Sequence, residues 1–223
     1  MISKLPRWVE YGAFILSFVA GAVNAVGFLG VKHQALSHLS GTATLVGTGI
    51  ITSSGNDIFH LVGILLSFLL GASLSGFLLP GTSLKLGRHY DSLLAIEGVM
   101  LLISIYLLKN HSLLGHYTAS AACGIQNALA TSYSGAIVRT THMTGIFTDL
   151  GLMIGAKLRG DPFDKRKAIL LVLIIVGFIS GGTLGAYLYA WLQFFALAVP
   201  AVICIVLAAL YRVYAVRGAY SIS

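Results

Sequence analysis

Apolar positions along this chain fall into long runs. Residues 58–79, 93–108, 168–188 and 194–210 carry few or no ionisable groups over most of the ~20 residues a helix needs to cross a bilayer. Two further segments, 34–52 and 135–156, behave differently: each breaks its apolar run near the middle with His, Ser, Thr and Gly. Such polar backbone is tolerated at membrane depth where it is buried in protein or lines a cavity. Each of these segments is therefore expected to be a broken spanning helix or a re-entrant hairpin.

The pattern repeats. Gly21-Ala-Val-Asn24-Ala25 is answered by Gly124-Ile-Gln-Asn127-Ala128, and His38-Leu-Ser40-Gly41 by His142-Met-Thr144-Gly145. Gly47 is matched by Gly151, and Ser67, Phe68, Gly71, Leu74 and Ser75 by Gly177, Phe178, Gly181, Leu184 and Gly185. The residues that lengthen the second half fit the charged loop from Lys157 to Lys167, since loops tolerate insertion. One membrane domain over residues 1–223 is expected, fused from halves at about 8–108 and 112–211. Each half holds a helix with the Gly-x-x-Asn-Ala motif, a polar segment with His-x-Ser/Thr-Gly, and two apolar helices.

Lysine and arginine placement bears on the number of spans. With six spans and two re-entrant segments, 12 of the 14 basic residues face the cytoplasm; with eight spans, ten do. The positive-inside rule prefers six, with both termini cytoplasmic in an inner (plasma) membrane. The lengths of the two polar segments argue for eight. Three spans in each half would relate the halves by inversion, a recurring architecture of transporters. The expected fold is thus all-α, with six transmembrane helices, two re-entrant or broken helices and two inverted repeats. Eight spanning helices is the competitor.

Composition agrees with a membrane protein: 57% of residues are hydrophobic and 9% charged, against roughly a quarter charged in soluble domains. The net charge of +7 does not predict nucleic-acid binding, because the basic residues are scattered at segment ends without an arginine-rich run. Cys123 and Cys204 lie in apolar segments and read as buried small hydrophobes. Lys4 and Arg7 before an apolar run and a small-residue stretch imitate a cleavable signal peptide. The internal counterpart of that stretch assigns it to the mature fold instead.

Candidate chemistry follows the repeat. His38 and His142 occupy equivalent places and are expected near a pseudo-two-fold axis, where imidazoles can relay protons or orient a polar solute. Ser40, Gly41, Thr42, Thr144 and Gly145 put hydroxyls beside glycines that let the chain turn inside the membrane; their alternative role is close packing and back-bonding to the helix. Asn24, Asn127 and Gln126 can coordinate a solute or clamp the broken segments, and clamping is the simpler role. Glu97 is a carboxyl within an apolar run and the best candidate for protonation. Asp149 is weaker, with no counterpart in the first half. The small-residue series Ser67-Gly71-Ser75 and Gly177-Gly181-Gly185 permit close helix approach and also admit a homodimer contact. Two histidines are too few for a metal site, no cofactor is implied, and no nucleotide loop or catalytic motif is present.

At the glycine-asparagine motif and the paired His-x-Ser/Thr-Gly motifs, the chain resembles the YoaK-type family of bacterial inner-membrane proteins, a domain of unknown function. The matching stretches run from Ala20 to Leu29, Ser37 to Thr42, Gly124 to Ala128, and Thr140-Thr141-His142-Met-Thr144-Gly145. The resemblance implies a six-helix protein of the cytoplasmic membrane with transport suspected. The chain departs from that pattern at Asn24, where an acid is common, and at Thr42 and Ile146, where Asn is frequent. The functional expectation is a transporter or channel for a small polar solute and no enzymatic activity. The competing expectation is a non-transporting scaffold or assembly protein binding through its small-residue faces.

Overall fold

A computed structural model describes residues 8–30, 35–52, 55–79, 89–134 and 138–220. Lys4, Arg7, Lys32, Lys85 and Arg88, which enter the charge argument, lie outside these residues. Among the described residues all regular structure is helical. The helices are α1 (Trp8–Leu29), α2 (Leu39–Thr52), α3 (Gly55–Leu78), α4 (Tyr90–Lys109), α5 (Leu114–Ser134), α6 (Met143–Leu158), α7 (Lys165–Leu192) and α8 (Ala198–Tyr220), with a short 3-10 turn at Gln193–Leu197 before α8.

Four stretches are long and apolar enough to cross a bilayer: Trp8–Leu29, Asp57–Leu78, Tyr90–Lys109 and Lys165–Ala215. The last contains α7 and most of α8. The protein is therefore a multi-pass helical membrane protein. The expected count of six spans is not reached on length and hydropathy alone, because α5 is too polar to qualify. Its sequence reads His116, Thr118, Ser120, Gln126, Asn127 and Thr131 among apolar neighbours. The physical reason is its position: Ala119, Ser120, Ala122, Ile125 and Gln126 are fully buried, so α5 is enclosed by other helices and needs no lipid-facing surface. Outward faces elsewhere are apolar, as at Phe59, Phe77 and Trp191.

Contacts fix the helix directions. The carbonyls of Phe14, Phe18 and Ala22 face Gly177, Gly181 and Gly185 in turn, so α1 and α7 run parallel. Tyr117 meets His60, Ser120 meets the Ile64 carbonyl and Gly124 meets the Phe68 carbonyl, so α3 and α5 also run parallel. Against these, α4 and α8 are antiparallel, with Asp91 at Arg212 and Gly98 at Ala201 and Ile205. A hairpin joins α4 to α5, closed by the Ser104 hydroxyl donating to the Gly115 carbonyl at 2.6 Å.

The core divides into two clusters, one toward each end of the bundle. One gathers Val9, Ala13, Leu93, Leu129, Ala130, Leu170 and Ala208; the other gathers Val23, Val26, Leu101, Ile105, Ala119, Ala122, Phe194 and Ala201. The start of α1 thus lies with the end of α5, and the end of α1 with the start of α5, so these two helices are antiparallel.

The closest packing recurs at the positions that repeat in sequence. A Cβ on Gly21 would overlap the Phe178 carbonyl, and one on Gly124 would overlap the Phe68 carbonyl. Likewise Gly181 abuts the Phe18 carbonyl and Gly71 that of Ala121. Where Gly185 faces the Ala22 carbonyl, Ser75 donates its hydroxyl to Ile125 O at 2.9 Å. The small-residue series are therefore consumed inside the molecule, where backbones approach closely enough to gain dispersion contact.

Candidate functional site

Two short helices, α2 and α6, begin at equivalent points and carry the histidine motifs. The His38 carbonyl accepts from Thr42 N and the His142 carbonyl from Ile146 N, so each histidine is the residue that opens its helix. Asparagines hold both openings in place. Asn24 Oδ1 accepts from the Ser37 amide at 3.2 Å and the Ser37 hydroxyl at 3.0 Å, and Asn127 Oδ1 accepts from the Thr141 hydroxyl at 3.3 Å. Gln126, fully buried, accepts from the Thr140 hydroxyl at 3.4 Å. The amides of the long helices thus bond the residues that lead into α2 and α6.

Between the two openings lies a cavity of about 540 Å³, lined by Ser37, His38, Leu39, Ser40, Phe68, Asn127, Thr131, Arg139, Thr141, His142, Met143 and Thr144. That volume suits a small ligand. Phe68 sits midway along α3, which places the cavity at the middle of the bundle. The ring of His38 meets Phe178, the repeat counterpart of Phe68, edge-on at 5.4 Å.

Of the residues singled out in the sequence, His38, Ser40, Asn127, Thr141, His142 and Thr144 come together on this lining. The others do not line it. Asn24 and Gln126 stand behind it as clamps. Thr42 is buried, and its amide bonds back to the His38 carbonyl. Gly145 lies beneath the His142 ring, where a Cβ would collide with the imidazole, whereas Gly41 faces open space.

Glu97 is elsewhere in the fold. It is buried on α4, facing Cys204 of α8, and its Oε2 has no hydrogen-bond partner. Asp149 pairs with Lys167 at 3.5 Å, a partner from α7 that neighbouring sequence did not suggest. Cys123 and Cys204 are buried free thiols.

Sequence reasoning missed Ser37, Thr131, Phe68 and Arg139 as lining residues. Ser37 and Thr141 are related by the same offset as the histidines, and that signal was available. Arg139 has no counterpart among the motifs.

A half-open, arginine-bearing cavity lined mostly by polar residues therefore lies at the middle of a multi-pass helical bundle. The chain belongs to the DUF1275 family, proteins of unknown function, whose profile matches residues 12–210. No curated protein and no solved structure matches the chain.

Proposed function

We propose that this chain is a transporter or channel for a small polar solute in the cytoplasmic membrane, with its site in the cavity between α2 and α6. It is built from two inverted halves, about 8–108 and 112–211, each with three spans and one re-entrant helix. In support, α1 and its repeat counterpart α5 run antiparallel, and the long helices alternate in direction from α1 through α3, α4, α5 and α7 to α8. At 14 and 16 residues, α2 and α6 rise only about 21 and 24 Å at 1.5 Å per residue, short of the ~30 Å hydrocarbon thickness. The basic loop residues Lys157, Arg159, Lys165, Arg166 and Lys167 belong with the end where α1 starts. Lys109 stands at the other end, over the Phe195 ring. By the positive-inside rule the first end is cytoplasmic.

The observation that carries the reading is that matching residues of both halves, His38 with His142 and Ser40 with Thr144, line one cavity. Half-helices whose starts converge at mid-membrane are a common way to build a solute site. The scaffold reading loses its best surface, because Gly71, Gly177, Gly181 and Gly185 are covered within the molecule.

The test is labelling of Ser40→Cys and Thr144→Cys, in a background with Cys123 and Cys204 replaced, by a membrane-impermeant thiol reagent added to each face of sealed vesicles. A water-filled transport site predicts that both positions react. If neither reacts from either face, the interior is dry and the transport reading fails.

A further inference from the structure

The charges around the cavity do not balance, and the imbalance identifies the kind of solute. Arg139, exposed rather than covered by other side chains, is on the lining together with two imidazoles, hydroxyls and an amide, and no carboxylate lines it. The chain has seven acidic residues, and each is engaged or placed elsewhere. Glu10 binds Arg166 at 2.7 Å, Asp91 binds Arg212 at 3.0 Å, Asp149 binds Lys167 and Asp161 binds Arg159 at 3.0 Å. Asp164 caps α7 by accepting from Lys167 N, Glu97 lies between α4 and α8, and Asp57 is in the first turn of α3 at the far end of the bundle. No carboxylate of the described residues pairs with Arg139.

An exposed guanidinium on the cavity wall, with no carboxylate of the described residues beside it, is available to an anionic solute. The rest of the lining favours the same sign of partner. Both α2 and α6 present their N-terminal turns to the cavity, through Leu39 and Ser40 on one side and Met143 and Thr144 on the other. Amides of a first helical turn lack intrahelical acceptors and carry the positive end of the helix dipole. The His142 side chain makes no capping bond to its own helix, so it does not satisfy them. Hydroxyls of Ser40 and Thr144 add donors, and the guanidinium presents a planar fork suited to paired oxygens.

We infer that the cavity binds a small oxyanion, a solute bearing a carboxylate, sulfate or phosphate group, with Arg139 as the charge-reading residue and the starts of α2 and α6 completing its shell. This rests on the transport reading of the same cavity and adds the chemical class of the solute. Phe68, Leu39 and Met143 on the wall leave room for a short apolar body beside the anionic group.

The experiment is thermal unfolding of the full chain in mild detergent, followed by tryptophan fluorescence, with acetate, sulfate and phosphate titrated against glycerol, choline and a chloride control of equal ionic strength. Wild type is expected to show saturable stabilisation by at least one oxyanion. Arg139→Gln should weaken its half-saturation by about tenfold or more, the usual loss when a hydrogen-bonded charge is removed, and Arg139→Lys should retain part of it. Stabilisation of the same size in Arg139→Gln would be surface exclusion by kosmotropic salts and would overturn the inference. So would saturable binding of glycerol or choline that ignores Arg139, which leaves the transport reading in place. If no solute class stabilises the wild type saturably, the inference fails, and the Ser40→Cys and Thr144→Cys labelling decides whether the transport reading fails with it.

Discussion

Gly181→Ala is the sharpest perturbation of the packing on which this fold depends. A Cβ there would overlap the Phe18 carbonyl oxygen, with the carbonyl carbon at 2.6 Å and Cα at 2.8 Å. The obstruction is backbone in the middle of α1, so no side-chain rotation relieves it. Restoring even the 3.4 Å of ordinary contact to that carbon requires α1 and α7 to part by about 0.8 Å, and the same movement loosens the neighbouring contacts at Gly177, Gly185 and Gly21. Overpacking of this kind costs about 1–3 kcal/mol, and a rigid backbone obstacle places this site near the upper figure. At about 2–4 °C per kcal/mol for a chain of this size, the loss in Tm is roughly 6–12 °C. The assay is thermal unfolding in mild detergent. Gly47→Ala and Gly151→Ala serve as controls, because a Cβ at either meets nothing within 4 Å. Both should be neutral or raise Tm, by up to about 1 kcal/mol of helix propensity. A Gly181→Ala protein that unfolds within a degree of wild type, or controls that fall as far, would refute the packing argument.

Other outcomes follow from the same contacts. Asn24→Ala removes the acceptor of both Ser37 bonds, while Asn127→Ala removes one. At about 1 kcal/mol per bond, the first should lower Tm more than the second, and equal losses in a side-by-side melt would contradict the clamping role. Arg166→Ala breaks a half-buried pair with Glu10, whereas Arg212→Ala breaks one whose arginine is 73% exposed. Exposed pairs contribute about 0–1 kcal/mol, so Arg212→Ala should hardly move Tm, Arg166→Ala should move it further, and the reverse order would be evidence against these placements. Ser120→Ala removes a buried hydroxyl within reach of both the Leu36 and Ile64 carbonyls. It should raise the thiol reactivity of a cysteine placed at Ser40, by loosening the approach to α2, and unchanged labelling rates would exclude that coupling.

Much of this architecture could be read from residue patterns, because the features concerned are local or periodic. Apolar runs identified α3, α4, α7 and α8, and the glycine-asparagine offset identified α1 with α5. Of the described residues in the polar segments 34–52 and 135–156, the helical ones begin at Leu39 and at Met143, and the second helix runs on to Leu158. Their leading residues are instead spent on bonds to Asn24, Gln126 and Asn127. The number of qualifying spans was less accessible, since hydropathy reflects exposure to lipid and α5 is enclosed by protein.

At the site, adjacent positions separate by about 100° around a helix. This is why Asn127 reaches the cavity while Gln126 is buried behind it, a distinction composition cannot make. Glu97 drew attention as a carboxyl in an apolar run, but its run packs on α8, away from the histidines. Arg139 looked like one more basic residue near a segment end. Its significance depends on the positions of all seven acids, which only the folded chain supplies.

The most direct test of inverted halves meeting at a central site is labelling from outside intact cells with a membrane-impermeant maleimide, using Thr52→Cys, Lys109→Cys and Asp161→Cys singly in a background with Cys123 and Cys204 replaced. If α2 is re-entrant, its end returns to the face from which it entered, so Thr52→Cys and Lys109→Cys label and Asp161→Cys stays dark. If Thr52→Cys and Lys109→Cys both stay dark, α2 crosses the membrane, the chain spans eight times, and the inverted-repeat account is contradicted.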